Sequence, residues 1–232
     1  LVMVGAVETN AAENRIEDTT PIARLTEEPL VVVVPAASEF QTLKDLVDAV
    51  VADGQGVTIT GGSAGGADHI LAGLLLEEAG LTGADITEKL NYVPNAGGGE
   101  AVSLLLGNNA AAGISGVGEF AEYVESGDLR ALAVSSEEAA TLLPDVPTMT
   151  SEGFDVVYTN WRGLLAPGGI SEADAAGLTA LVTEMHESGA WKTVLEERGW
   201  TDAFLTGDDF TSFVDENIVD VSGTLKNIGL VS

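Results

Sequence analysis

The residues of this chain best suited to chemistry lie in one glycine-rich stretch, Gly62-Ser63-Ala64-Gly65-Gly66, with Asp68 and His69 close behind it. A glycine loop at the start of a helix leaves several backbone N–H groups unpaired at the positive end of the helix dipole. Such a loop holds a small anion without any basic side chain. The Ser63 hydroxyl can donate to the same anion, so the stretch predicts an anion-binding loop.

Two other interpretations compete for this stretch. The run from Gly61 to Gly65 fits the G-x-S-x-G pattern of a serine hydrolase, with Ser63 as the nucleophile. That chemistry needs a histidine base, and the chain has only His69 and His186. The remaining interpretation is a tight turn between a strand and a helix that binds nothing. The stretch lacks both the G-x-G-x-x-G spacing of a dinucleotide loop and the Gly-Lys-Ser/Thr of a P-loop.

Three strand–loop–helix units place such loops along the chain. Val57–Thr60 is a β-branched strand and Ala67–Ala79 a helix with an apolar face, so the first loop lies between them. Leu90–Val93 leads into a second glycine loop. Ala110–Ile114 leads into a third loop, which begins at Ser115. Because parallel crossovers keep one hand, we expect all three loops at one edge of a sheet.

The remaining elements predict two lobes. Leu1–Val7 is typical of a core strand, and Leu30–Val34 is a second buried strand. The chain after Pro167 is almost entirely helical, and helices without a sheet of their own must cover another sheet. We therefore expect an α/β fold with two crossing segments, each lobe being a mainly parallel sheet flanked by helices. Lobe 1 comprises residues 1–34 and 163–232, and lobe 2 comprises residues 35–162 with the glycine and serine loops.

Composition excludes several classes of partner. The chain has 9 Lys and Arg against 37 Asp and Glu, a formal net charge of −28. Nucleic acid and anionic membrane surfaces would be repelled by such a protein. There is no cysteine, so disulfides and thiolate chemistry are absent. His186, Trp191 and Trp200 lie in the helical tail and are interpreted as packing residues.

Four segments after the first loop carry a family resemblance: VPNAGGGEAVSLLLG, GDLRALAV, LPDVPTMTSEGFDV and NWRGLLAPGG. In this order and after GGSAGGADH, they resemble the substrate-binding proteins of tripartite tricarboxylate transporters, the Bug family, over nearly the whole chain. The resemblance implies a periplasmic-binding-protein-like (Venus flytrap) receptor. Such a receptor captures a small carboxylate between its lobes and delivers it to membrane transporter subunits. No enzymatic activity, cofactor or metal is expected.

The resemblance also implies a location and a site. We expect an extracytoplasmic monomer, periplasmic or a cell-surface lipoprotein, whose signal segment is not present in this chain. Family chains carry a further strand–helix–strand segment before the position of Leu1, so lobe 1 is expected to lack its N-terminal part. For His69, a packing role at the helix start and direct contact with the ligand are equally open. The candidate ligand-binding residues are Gly62, Ser63, Ala64, Gly65, Gly66, Asp68, His69, Ala96, Gly97, Gly98, Ser115, Thr9 and Asn10.

Overall fold

A computed structural model describes residues 2–9, 13–96 and 98–231 of the 232-residue chain. Two short 3-10 helices, Ile16–Asp18 and Gly54–Gly56, accompany the main elements. The main elements are, in chain order, α1 (Val2–Thr9), β1 (Thr19–Pro35), α2 (Leu43–Asp53), β2 (Thr58–Gly61), α3 (Ala67–Glu78), α4 (Gly83–Lys89), β3 (Asn91–Pro94), α5 (Gly98–Leu106), β4 (Ala112–Gly116), α6 (Val117–Glu125), β5 (Leu129–Val134), β6 (Thr159–Pro167), α7 (Glu172–Glu187), α8 (Gly189–Arg198), β7 (Thr201–Thr206) and α9 (Gly207–Asn227). Within the described ranges, none of the helices combines the length and apolarity of a membrane span.

The long strand β1 belongs to two sheets. Its first part, Thr19–Pro29, pairs antiparallel with β6 and β7. Its second part, Leu30–Pro35, lies between β4 and β5, in a sheet of order β3-β2-β4-β1-β5. The run from Leu30 to Val34 is completely buried, because both faces of this central strand are covered. The chain therefore passes from one sheet to the other close to Pro29.

The expectation of mainly parallel sheets is wrong. Every described pair in the first sheet is antiparallel, and the second sheet is mixed. In the second sheet, β2 runs parallel to both β3 and β4, as the strand–loop–helix units predict. The exception is β1, which is inserted antiparallel between β4 and β5. Strand β1 is followed by a helix, α2, just as β2 and β4 are followed by helices. The order of elements along the chain therefore does not reveal that β1 runs in the opposite direction.

The three loops lie at one edge of the second sheet, as expected. Because β2, β3 and β4 point the same way, the helices α3, α5 and α6 all begin at their carboxyl ends. One boundary differs from the prediction. Ser115 is a buried residue of β4 rather than part of a loop, and Gly116 is the residue that precedes α6.

The helical tail covers the first sheet, as the sequence predicts. Helix α9 contacts β1 and β7, and helix α7 also contacts β1. The buried positions of α9 recur every three or four residues: Phe210, Val214, Ile218, Val221 and Leu225. Such spacing gives one apolar stripe along the helix. One strand, β7, interrupts this helical tail.

The prediction of a core strand at Leu1–Val7 is wrong, because Val2–Thr9 is the helix α1. A short apolar run is compatible with either a buried strand or a buried helix, and periodicity does not distinguish them. A strand also needs a hydrogen-bonded neighbour, whereas a helix satisfies its own backbone. Helix α1 packs against α9 and buries Val4.

Candidate functional site

The first glycine loop is held by hydrogen bonds from its own amides. Gly62 N donates to Asp68 Oδ2 at 2.6 Å, and Gly65 N donates to His69 Nδ1 at 3.2 Å. Gly66 N donates to the Ser63 carbonyl at 2.9 Å. Gly65 has φ +73°, a backbone conformation that favours glycine. Asp68 and His69, on the first turn of α3, therefore fix the loop that precedes them.

Four other donors of this loop form no hydrogen bond within the described residues: the amides of Ser63, Ala64 and Ala67, and the Ser63 hydroxyl. Ser63 is half-buried and Ala64 is exposed, so these donors are accessible. They also lie at the N-terminus of α3, where the helix dipole is positive. This geometry suits a small anion.

The second loop is tied to the first by Asn95. Its amide N donates to the Gly61 carbonyl at 3.0 Å. Its Nδ2 donates to Thr60 Oγ1 at 2.6 Å and to the Gly61 carbonyl at 2.9 Å. Ala96 is exposed and its N donates to Glu100 Oε2 at 3.0 Å, while Gly98 is the first residue of α5. Gly97, like Asn10, lies outside the described residues.

His69 is oriented by two contacts. Its ring stacks on Tyr92 with centroids 4.1 Å apart and an interplanar angle of 1°. The Tyr92 hydroxyl donates to the Gly62 carbonyl at 3.0 Å, so the tyrosine also holds the loop. Burial lowers the pKa of His69 to about 4, so the ring is neutral at pH 7. The neutral Nδ1 atom accepts a hydrogen bond from Gly65 N and so helps to hold the loop in position.

Thr9, at the end of α1, lies beside Gly65 of the first loop. A Cβ at Gly65 would lie 2.5 Å from Thr9 Cγ2, and Gly5 of α1 contacts the Gly65 carbonyl. The Thr9 hydroxyl donates to the Gly5 carbonyl at 2.7 Å within α1. Only a cavity of about 30 Å³ remains beside Gly65. Helix α1 therefore covers the inner side of the loop.

A much larger cleft of about 810 Å³ lies beside the third loop. One wall comes from α6 and the segment 142–146, and the other comes from β6 and the end of α8. Most of the charged side chains that line the cleft are acidic, and two arginines and a tryptophan also line it. The charged and aromatic lining residues are Glu28, Glu119, Glu122, Glu125, Asp145, Arg162, Glu197, Arg198 and Trp200. Within the described part of the chain, no group of His, Asp and Glu has an arrangement that would hold a metal ion.

Glu28 is the most buried acid of this cleft, with 4% of the residue exposed. It forms an ion pair with Arg162, and Asn160 Nδ2 donates to its Oε1 at 3.3 Å. Trp200 Nε1 donates to Glu28 Oε2 at 2.9 Å, and the Arg162 guanidinium lies 4.6 Å from the Trp200 ring centroid. We refer to these four residues as the Glu28 cluster. Trp200 thus has a polar partner in the cleft as well as a packing role.

Asp68 connects the loop to the cleft electrostatically. Burial, together with the charges of Glu119 and Glu28, raises the pKa of Asp68 to about 7, although the Gly62 hydrogen bond opposes the shift. The Ser115 hydroxyl donates to Glu119, and hydrogen bonding from Ser115 also opposes the rise in the pKa of Asp68. The predicted residues Gly62, Asp68 and Ser115 are thereby brought into one group.

Sequence reasoning missed the Glu28 cluster and Tyr92. One signal was available for Glu28, an acid directly before Pro29 and a run of buried β-branched residues. For Arg162, the signal was the scarcity of basic residues, since the chain has only 9 Lys and Arg in total. Tyr92 carries no local signal, because its contact with Gly62 joins positions 30 residues apart.

The fold defined by these elements is that of two-lobed periplasmic binding proteins, which confirms the predicted two-lobed α/β class, with mixed and antiparallel sheets in place of mainly parallel ones. MatC from Rhodopseudomonas palustris, solved with bound malate, matches with a TM-score of 0.79 and 20% identity, over 97% of this chain and 76% of MatC. R. palustris Rpa4515, solved with adipate, matches with a TM-score of 0.79 and 19% identity, over 91% of this chain and 69% of that protein.

Residues 8–230 match the family model described as the tripartite tricarboxylate transporter family receptor, so the chain belongs to this family. Protein BugT of Bordetella pertussis is 28% identical over 215 residues, which are 92% of this chain and 64% of BugT. The resemblance seen in the sequence is therefore confirmed. The chain spans less than two thirds of the length of the curated relatives it matches.

Proposed function

We propose that the protein is an extracytoplasmic receptor that captures a small carboxylate and delivers it to a tripartite tricarboxylate-type membrane transporter. The observation that carries this proposal is the set of accessible donors at the first glycine loop, namely the amides of Ser63, Ala64 and Ala67 and the Ser63 hydroxyl. Charge-assisted hydrogen bonds from such donors to a carboxylate are shorter and stronger than neutral ones. Family membership supports the same ligand class.

The proposed receptor has two lobes, residues 1–34 with 163–232 and residues 35–162. The passage of β1 from one sheet to the other near Pro29 supports one crossing between them, and β6 supports the return. Ligand capture would close the lobes because the closed form makes better contacts with the ligand. The remaining predicted contacts, from Thr9, Asn10, Ala96, Gly97, Gly98 and Ser115, belong to this proposal.

The acidic surroundings favour backbone recognition. Glu28 and Glu119 line the cleft together with Arg162 and Arg198, and Arg162 is already paired with Glu28. A carboxylate bound here depends on amide donors and the helix dipole, which act over short distances. We therefore expect selection among small carboxylates by fit rather than by an arginine clamp.

A thermal-shift screen tests the proposal, with malate, adipate and citrate as probes and glucose as an uncharged control at fixed salt. A ligand at 100 times its dissociation constant adds about 2.7 kcal/mol of stability. For a chain of this size, the melting temperature should rise by about 5–10 °C. No shift with any carboxylate would contradict the proposal.

The hydrolase alternative is tested with the same protein. It requires a base at Ser63, whereas His69 Nδ1 accepts from Gly65 N and His186 contacts Asp202 on the other sheet. Hydrolysis of p-nitrophenyl acetate that disappears in Ser63→Ala would favour the alternative. We expect the rates of the two proteins to be equal.

A further inference from the structure

Three successive peptide groups at the start of the first glycine loop have their carbonyls held by hydrogen bonds. The Gly61 carbonyl accepts from Asn95 N at 3.0 Å and from Asn95 Nδ2 at 2.9 Å. The Gly62 carbonyl accepts from the Tyr92 hydroxyl at 3.0 Å and from Asn95 N at 3.3 Å. The Ser63 carbonyl accepts from an amide later in the same loop at 2.9 Å. The direction of each peptide group is therefore fixed from its carbonyl end.

A held carbonyl also decides where the next amide points. In a planar trans peptide, the C=O of one residue and the N–H of the following residue point in opposite directions, and no described peptide bond is cis. The first peptide group follows this rule: its carbonyl accepts from Asn95, and its amide, Gly62 N, donates to Asp68 Oδ2 at 2.6 Å. The second peptide group has its carbonyl turned towards Tyr92, so the Ser63 N–H points away from Tyr92. That amide is one of the four donors without a partner in the described part of the chain.

Tyr92 is held in place for this contact by its own neighbours. It pairs with Ile59 in the parallel register of β2 and β3, and its ring stacks on His69 with centroids 4.1 Å apart. A Cβ at Gly61 would lie 2.5 Å from the Tyr92 hydroxyl oxygen, so a glycine at this position leaves the space that the hydroxyl needs. Burial raises the pKa of Tyr92, so the hydroxyl keeps its proton and donates it to a carbonyl that can only accept.

We propose that Tyr92 is a positioning residue of the anion loop, whose hydroxyl orients the Ser63 amide towards a bound carboxylate by holding the Gly62 carbonyl. The inference rests on the proposed function and adds to the site a residue that lies outside the loop. Without the hydroxyl, Asn95 N still donates to the Gly62 carbonyl, so this carbonyl is not left unpaired. The contact with Tyr92 adds a fixed direction, and a donor that is already oriented loses less conformational freedom when the ligand binds.

Tyr92→Phe tests this role, because it removes the hydroxyl and keeps the ring that stacks on His69. By isothermal titration with malate, adipate or citrate, whichever binds, the dissociation constant should rise about three- to tenfold, as for the loss of one net hydrogen bond. The melting temperature without ligand should fall by less than about 3 °C. The matched control is Tyr123→Phe in α6, which removes a hydroxyl with no hydrogen bond among the described residues and should match the wild type.

Amide resonances distinguish the orientation of one donor from a general loosening of the loop. In the wild type, the bound carboxylate should shift the ¹H–¹⁵N resonances of both Ser63 and Ala64. At saturation, Tyr92→Phe should show a smaller shift at Ser63 and an unchanged shift at Ala64, because the carbonyl that directs the Ala64 amide is held within the loop. A merely structural role for Tyr92 would change both shifts together. Affinity and shifts equal to those of the wild type would overturn the inference and leave the receptor function intact.

A measurement without ligand separates the inference from the proposed function. The ¹³C resonance of the Gly62 carbonyl reports the hydrogen bonds that this group accepts, so it should move upfield in Tyr92→Phe and stay in place in Tyr123→Phe. If it does not move in Tyr92→Phe, the hydroxyl does not hold the carbonyl, and the inference alone is overturned. If it moves but no carboxylate binds to the wild type, the receptor function itself is overturned, and the inference with it.

Discussion

The first glycine loop and the Glu28 cluster are two polar regions built in opposite ways. In the loop, Gly62 and Gly65 donate to side chains four to six positions away on α3. In the Glu28 cluster, one acid gathers partners that lie 132, 134 and 172 positions away in the chain. Local hydrogen bonds fix the shape of the loop, whereas the distant ones join β1 to β6 and to the segment after α8, which leads into β7. The comparison teaches that the loop depends on contacts between neighbouring residues, whereas the first sheet depends on contacts between strands far apart in the chain.

The largest effect is expected from Gly65→Val in the loop. A β-branched residue at φ +73° is strained, and its Cβ would lie 2.5 Å from Thr9 Cγ2. Strain and overpacking together should lower the free energy of unfolding by about 4 kcal/mol and abolish carboxylate binding. Urea denaturation and calorimetry measure the two effects. Gly177→Ala in α7, where a Cβ has open space, should be neutral or stabilising by about 0.5–1 kcal/mol. Ligand binding by Gly65→Val equal to that of the parent would remove the loop from the site.

Glu28→Ala should have the next largest effect, chiefly on the free energy of unfolding. The change leaves Arg162 and the Trp200 indole without their acceptor at a nearly buried position. Removing one partner of such a buried pair should lower the free energy of unfolding by about 3 kcal/mol. The matched control is Glu187→Ala, an exposed acid of α7, which should change stability by less than about 0.5 kcal/mol. Equal stability of the two variants would show that the cluster does not stabilise the first sheet.

The substitution His69→Asn should change how protein stability depends on pH, because it removes a buried side chain that can take up a proton. Burial lowers the pKa of His69 from 6.5 to about 4, so the unfolded chain takes up this proton first as the pH falls. The wild type should lose about 2 kcal/mol more than the variant between pH 7.5 and pH 4.5. Urea denaturation at both pH values measures this difference, to which Asp68 contributes equally in both proteins. A difference that does not change with pH would mean that His69 is solvated rather than buried.

Ser63→Ala should have the smallest effect, and on binding alone. The Ser63 hydroxyl has no hydrogen-bond partner within the described ranges, so its loss costs the fold little. Loss of one hydrogen bond to the ligand should weaken carboxylate binding by about 1–2 kcal/mol. Calorimetry with malate measures the change against Ser212→Ala, an exposed serine of α9. If both variants bind equally well, the hydroxyl does not touch the ligand.

Much of the fold was predictable from short-range signals. The strand β2, the helix α3 and the loop between them follow from β-branched residues, glycines and an apolar face within a few positions. Strand β5 lies within the segment GDLRALAV, which carries part of the family resemblance. Helix α1 was not predicted, because seven apolar residues fit a strand or a helix equally well until a neighbour is known. The antiparallel insertion of β1 was missed for the same reason, since pairing partners are distant in sequence.

By itself, the sequence determined the chemistry of the first loop: glycines with one serine, placed at a helix start in a chain with 9 Lys and Arg against 37 Asp and Glu. Residue type and local spacing suffice there, because backbone donors need only the right turn. Only the tertiary structure decided that Asp68 is buried near Glu119 and Glu28, and that Glu28 is held by Arg162 and Trp200. These contacts decide which acids carry charge, because burial and neighbouring charges set each pKa, and both arise when distant strands meet.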